Sequence, residues 1–288
     1  MPDDKRIYKL IGLVLHEDIG SGDVTSKAVV DSGLRGTALI RAKEKGVLAG
    51  IGIAGTVFKK VDRTLKFTPF FEDGDTIRPN DRIALIKGNL RSILRGERTA
   101  LNFLQQLSGV ATYTASFADK VKGTRVRVLD TRKTVPNLRS LQKQAVKSGG
   151  GENHRRGLYD MILIKENHIR AAGSISEAIK RAKLYSSKKS RGKRLKIEVE
   201  TKTLKEAEQA VRLGVDMIML DNMPLNQIKK AVKIIRSHDK KVKIEVSGNV
   251  ELNEVRQIAA TGVDFISVGA LTHSAKALDF SLKVVTLN

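Results

Sequence analysis

Leu195-Lys196-Ile197-Glu198-Val199-Glu200, Met217-Ile218-Met219-Leu220-Asp221-Asn222, Ile244-Glu245-Val246-Ser247-Gly248-Asn249 and Phe265-Ile266-Ser267-Val268-Gly269-Ala270 are four short apolar runs. Each ends in an acid, an amide or a glycine, and helical segments separate most of them. Such alternation predicts βα units and a parallel sheet. Two further runs lie upstream. Val126–Leu129 leads into Asp130-Thr131-Arg132-Lys133, and Met161–Ile164 leads into Lys165-Glu166-Asn167. A barrel gathers the C-terminal ends of its strands on one face, whereas an open doubly wound sheet gathers them along one edge. Consecutive units without a long crossover favour the barrel, although six strands fall short of eight.

The first hundred residues read differently, as mixed α and β. A helix is expected over about residues 5–16, followed by the turn-rich His16–Thr25. Short strands are expected at 37–42 and 45–50, with turn chemistry at Phe71–Asp75 and Arg78–Asp81. Leu94, Leu101, Leu104 and Leu107 fall at helical spacing, so a helix over about 90–107 should close this unit.

Composition narrows the classes. The chain has 288 residues, 41% of them apolar, enough for a sizeable core. Lys and Arg number 53 against 31 acidic residues, a formal net charge of +22, which predicts attraction to anions. With no Cys, disulfides, thiolate zinc sites and cysteine nucleophiles are excluded. Zero Trp and 4% aromatic residues leave few stacking platforms for bases. The basic stretch Lys180–Lys196 lacks aromatic interleaving and reads as a solvated helix end and loop, so no nucleic-acid partner is expected. No apolar run approaches the roughly 20 residues needed to span a bilayer, and the N-terminus has no secretory pattern. The expectation is a soluble cytoplasmic protein with no membrane partner.

The expected strand ends carry the chemistry. Arg132, Lys133, His154, Arg155, Arg156 and Lys165 concentrate positive charge, Glu200 and Asp221 add carboxylates, and the last two strands end in glycine-bearing loops. Backbone N–H groups in such loops suit a phosphate, so the set fits a polyanionic substrate with a metal shared between acids and phosphate oxygens. Singly, each feature also reads as a turn, a helix cap or a solvated pair, and Gly149-Gly150-Gly151 as a flexible linker. Their succession at strand ends favours a site.

These residues sit within a longer set that resembles the quinolinate phosphoribosyltransferase family nearly end to end. Its carriers are Glu17–Thr25, Gly96–Asn102, Leu107–Thr112, Asp130–Thr134, Gly149–Arg155, Leu163–His168, Glu198–Glu200, Leu220–Asn222 and Ser247–Asn249. The resemblance implies an N-terminal α/β sandwich over 1–106, rejoined by 274–288, and a partly open, six- to seven-stranded parallel α/β barrel over 107–273. It also implies a homodimer or higher homo-oligomer with sites shared between subunits. The implied reaction transfers phosphoribosyl from phosphoribosyl pyrophosphate to the ring nitrogen of quinolinate, with decarboxylation to nicotinate mononucleotide, in NAD synthesis.

Carried over by position, the resemblance places quinolinate on Arg132, His154, Arg155 and Lys165, with Arg98 from the neighbouring subunit. Phosphoribosyl pyrophosphate falls to Thr131, Lys133, Lys165, Glu200, Asp221, Ser247, Gly248, Asn249, Gly269 and Ala270, and the chemistry to Lys133, Lys165, Glu200 and Asp221. Glu200 and Asp221 would serve Mg²⁺, directly or through water, and no organic cofactor is implied. The planar fork of Arg suits carboxylates, and several cations converging together favour a dianion over a monoanion. The chain departs from the family at Val135 and Asn137, which stand where Thr and Gly are usual, at Gln144 for Tyr and at Glu166 for Asp. Two alternatives stand beside this reading: a related phosphoribosyltransferase with another acceptor, and a non-catalytic basic binding protein on the same fold.

Overall fold

The computed structural model describes residues 4–188 and 194–287, which form two compact units. The first comprises the chain up to Ala115, then Val135–Gly150, then the segment from Ser274 onward; the second comprises Ser116–Thr134 and Gly151–His273. The sequence pattern suggests a single cut near 107. The structure instead leaves 107–115 and 135–150 with the first unit.

In the first unit the elements are α1 (Asp4–Ile19), α2 (Val24–Val29), β1 (Arg35–Ala42), β2 (Gly46–Val47), α3 (Ile51–Val61), β3 (Lys66–Pro69), β4 (Thr76–Ile77) and β5 (Arg82–Asn89). They continue with α4 (Leu90–Val121), which extends into the second unit, α5 (Arg139–Ser148) and β12 (Phe280–Leu287). Asp23 caps α2 by accepting the Ser26 N–H at 2.9 Å, so the turn-rich segment starts a second helix. An antiparallel sheet runs in the order β12-β1-β5-β3, and β12 pairs along β1 from Ala42↔Phe280 to Gly36↔Leu287. On α3, Ile51, Ala54, Val57 and Phe58 form the buried stripe expected of an amphipathic helix.

The expected helix ending at 107 is in fact 32 residues long. Ser108 and Gly109 lie within it, and both serve close packing within the unit. Ser108 Oγ accepts the Ala49 N–H at 3.0 Å. A Cβ on Gly109 would lie 2.1 Å from the Lys276 carbonyl oxygen. The Gly149–Gly151 run is likewise no free linker, since Gly149 caps α5 and donates to the Ala145 carbonyl.

The second unit is built of βα repeats: β6 (Arg127–Leu129), β7 (Ile162–Ile164), α6 (Glu166–Ala172), α7 (Ile175–Lys188), β8 (Ile197–Thr201), α8 (Leu204–Arg212), β9 (Met217–Asp221), α9 (Leu225–His238), β10 (Lys243–Ser247), α10 (Val255–Ala259), β11 (Phe265–Ser267) and α11 (Ala270–His273). All six strands are parallel, in the order β6-β11-β10-β9-β8-β7. From β7 to β11 each strand lies beside its successor, and the first strand joins the last. This is the order of a barrel left open between β6 and β7. Beside β6, Glu152 makes a parallel bridge to Leu129, donating to the Val128 carbonyl and accepting from the Asp130 N–H.

Strand alternation divides the sheet into two faces. Val199, Ile218, Leu220, Ile244, Val246 and Ile266 are buried among apolar neighbours, while Glu198, Glu200, Met219, Asp221, Glu245 and Ser247 take the alternate positions. Of the basic stretch Lys180–Lys196, Arg194 pairs with Asp216 at 2.9 Å, and residues 189–193 lie outside the described residues. Among the described residues no helix is long and apolar enough to cross a membrane.

Gly109→Ala should cost about 1–3 kcal/mol of unfolding free energy, the usual penalty of overpacking. Denaturant titration reads this directly, and an unchanged midpoint would mean that the Lys276 backbone is not held against α4.

Candidate active site

A cavity of about 510 Å³ opens at the C-terminal ends of the parallel strands. Thr131, Arg132 and Lys133 line it after β6, and His154 and Arg155 after the Glu152 bridge. Lys165 follows β7, Asp221 closes β9, Ser247, Gly248 and Asn249 follow β10, and Gly269 and Ala270 follow β11. Glu200 reaches this set through Lys165, whose Nζ lies 2.7 Å from its Oε2. Arg98 is exposed on α4 in the other unit and is not among the lining residues.

Local bonds set each group. The Lys133 N–H donates to Thr131 Oγ1 at 3.0 Å, and Thr272 Oγ1 donates to the Lys133 carbonyl at 2.7 Å. Lys165 caps α6, where its N–H donates to His168 Nδ1 at 2.9 Å, so its side chain starts from a fixed backbone. The Ser247-Gly248-Asn249 turn needs glycine twice over. Gly248 has φ +96°, and a Cβ there would lie 2.4 Å from Asn222 Oδ1. Asn222 donates to Asp221 Oδ2 at 3.0 Å and accepts from Asn249 Nδ2 at 3.3 Å, linking the ends of β9 and β10. Asn137, standing where the family usually has glycine, takes φ 63°, in the left-handed region that Asn tolerates. Glu166 turns to Lys202, at 2.5 Å.

The electrostatics centre on a group that sequence reasoning left out. Glu198 and Glu245 are both 0% exposed, and their Oε2 atoms lie 3.1 and 3.3 Å from His154 Nε2. A single N–H cannot point at both, and none of the four carboxylate oxygens receives an aligned hydrogen bond among the described residues. Burial lowers the proton affinity of His154, but the two carboxylates outweigh it and raise its pKa from 6.5 to about 10. The Arg155 N–H opposes a second ring proton, because it already donates to Nδ1 at 2.7 Å. Glu198 is itself pushed up to about 7, by burial and then by Glu245. Arg155 is pushed down from its ordinary value, by burial and then by the positive charge of Arg132, while Glu198 draws it back up.

Glu198 stood in a quoted motif without a role, and Glu245 and His273 had none; Glu245 and His273 both line the cavity. A glutamate inside an apolar strand is the one sequence signal that could have marked the first two, since a carboxylate is almost never buried without a partner.

A cationic cavity with acids and a glycine turn, at the strand ends of an open parallel barrel, defines an α/β enzyme that binds multiply charged anions. Comparison with known proteins gives the family. Residues 23–108 match the N-terminal domain, and residues 110–283 the C-terminal domain, of quinolinate phosphoribosyl transferase. The chain belongs to the quinolinate phosphoribosyltransferase family. It is 41% identical to the decarboxylating quinolinate phosphoribosyltransferase 2b of Nicotiana tabacum, over 97% of this chain and 82% of that protein. The nicotinate-nucleotide pyrophosphorylase of Francisella tularensis matches with a TM-score of 0.92 and 43% identity, covering 99% of this chain and 98% of that one. NadC from Streptococcus pyogenes matches with a TM-score of 0.92 and 41% identity, at 99% and 98% coverage.

Thr272→Val should cost about 1–2 kcal/mol, because the Lys133 carbonyl loses its buried donor while side-chain volume is kept. Chemical denaturation measures the loss; no change would mean that water replaces the bond without penalty.

Proposed function

We propose that this chain transfers phosphoribosyl from phosphoribosyl pyrophosphate to the ring nitrogen of quinolinate and releases the C2 carboxylate as carbon dioxide. The observation that carries this reading is the single cavity in which Arg132, Arg155, Lys133 and Lys165 meet Asp221 and the Ser247-Gly248-Asn249 turn. A ligand with two adjacent carboxylates and a polyphosphate partner uses all of it; a monocarboxylate acceptor leaves cations unmatched.

In this reading Arg132 and Arg155 take the quinolinate carboxylates, with His154 beside them and Arg98 donated by the neighbouring subunit of a dimer. Ser247, Gly248, Asn249, Gly269 and Ala270 receive the ribose phosphate, and Thr131 faces the same substrate. Lys133 and Lys165 lie between the two substrates and offset charge on the departing pyrophosphate. Asp221 and Glu200 stand near the ribose, where positive charge develops in the transition state. Catalysis here is positioning plus charge stabilisation. Once alkylated, the ring nitrogen is quaternary and stabilises the carbanion left as carbon dioxide departs; a proton from solvent then adds at C2, and no organic cofactor is invoked.

Mg²⁺ fits the donor set. Asp221 and Glu200 are carboxylates on neighbouring strand ends, a pattern suited to a hard ion that shares substrate phosphates with one or two acids. When bound it would neutralise pyrophosphate charge. A cytoplasmic setting accords with the cysteine-free composition.

Two experiments test the reading. Incubation with phosphoribosyl pyrophosphate, Mg²⁺ and quinolinate labelled at the C2 carboxylate should release carbon dioxide and nicotinate mononucleotide in equal amounts, while nicotinate gives none. Product from nicotinate instead would move the assignment to another acceptor. For the shared site, inactive Arg98→Ala mixed with inactive Lys165→Ala should regain partial activity once subunits exchange. No recovery in verified heterodimers would place Arg98 outside the site.

A further inference from the structure

Glu198 and Glu245 come from β8 and β10, two strands separated by β9, yet their carboxylates converge on one imidazole. The His154 backbone is also held, since its N–H donates to Asp130 Oδ1 at 2.8 Å, and the Asp130 N–H donates to the Glu152 carbonyl at 3.1 Å. His154 therefore enters the sheet interior from a fixed stretch of backbone and ends between two buried acids. Its other ring nitrogen accepts the Arg155 N–H at 2.7 Å, and Arg155 Nη1 donates to the Met161 carbonyl at 3.2 Å. The Arg155 N–H thus ties the ring that faces the two acids to the residue whose guanidinium serves the cavity.

By residue type the three side chains are also a possible metal-ligand set. The hydrogen bonding argues otherwise. Nε2 faces both carboxylates and keeps a proton, so the ring offers the acids a donor and gives a metal no lone pair there. The acids serve the ring.

We propose that Glu198 and Glu245 are positioning residues for the acceptor half of the site: they hold the His154 ring from beneath and, through it, keep Arg155 placed for a substrate carboxylate. The role rests on the quinolinate reading above, but the hydrogen-bonded ring does not.

The test is a comparison of Glu245→Leu with Glu245→Gln. Glu245→Leu should raise KM for quinolinate about tenfold, the equivalent of one hydrogen bond to a charged group. KM for phosphoribosyl pyrophosphate should stay within about twofold, a change too small to count as one interaction. Glu245→Gln, which keeps an acceptor for Nε2–H, should recover to within about threefold of the parent. Equal rises in both KM values, or none in either, would overturn the role. A second readout needs no substrate. In the ligand-free parent protein, which has five histidines, NMR should show a downfield Nε2–H of His154 that Glu245→Leu loses. Should the leucine variant not fold, Glu198→Gln and Glu245→Gln must each move that resonance upfield. Its absence from the parent, or its indifference to these changes, overturns the inference whatever the acceptor is. A parent that shows the resonance but ignores quinolinate would sink the proposed function while leaving the buried arrangement standing.

Discussion

Like charges must be held together in this site before any substrate is present. Arg132, Lys133, Arg155 and Lys165 open into one cavity, and burial and then the charge of Arg132 push the Arg155 pKa down. Acids within the same unit offset it. Glu200 takes Lys165 at 2.7 Å, and the Glu198–Glu245 pair lies against His154 with no aligned hydrogen bond of its own among the described residues. Two buried carboxylates side by side would be unfavourable in an ordinary core. Here they flank His154, at the wall of the cavity that the arginines share.

Much of the second unit was legible in the sequence, because its strands are short, apolar and regularly spaced, and period and length sufficed to find them. All six expected runs correspond to parallel strands, β6 to β11. Residues at or just past five of these strands line the cavity, and Glu200 of β8 joins it through Lys165, because a parallel sheet puts every C-terminal strand end on one side. The first unit was less legible. Arg82–Asn89 forms a central antiparallel strand, yet its buried residues occupy both faces, so the alternation that marks a half-buried strand is weak. The spacing of Leu94, Leu101, Leu104 and Leu107 marks α4 only as far as 107; beyond it Ser108 and Gly109 provide close approach to Ala49 and Lys276.

The acid pair was missed for a different reason. In a linear reading, Glu198 is the alternate residue of a strand and would face water. Only the inward curl of the sheet turns that alternate face into an interior, and only the Glu152 bridge brings His154 over it. Neither relation is local in sequence. The family motif Glu198-Val199-Glu200 drew attention to the right strand and to Glu200, while Glu198 two residues earlier meets His154.

Register joins the two halves of the site. Glu198 and Glu200 are two residues apart on β8, hence on one face and about 6–7 Å apart along the strand. Glu245 and Ser247 stand in the same relation on β10. Each of these strands thus carries a buried acid that meets His154 and, one step further toward the strand end, a residue that the proposed reaction gives to the phosphoribosyl substrate. A shift of one residue in the pairing of either strand with β9 would turn both members away together. The apolar outer face, with Val199, Ile218, Ile244 and Val246 buried, fixes that pairing. Hydrophobic burial on one side of the sheet therefore sets the spacing of charges on the other. The residues proposed for the acceptor and for the phosphoribosyl substrate would owe their separation to the pleat of the strands that carry both.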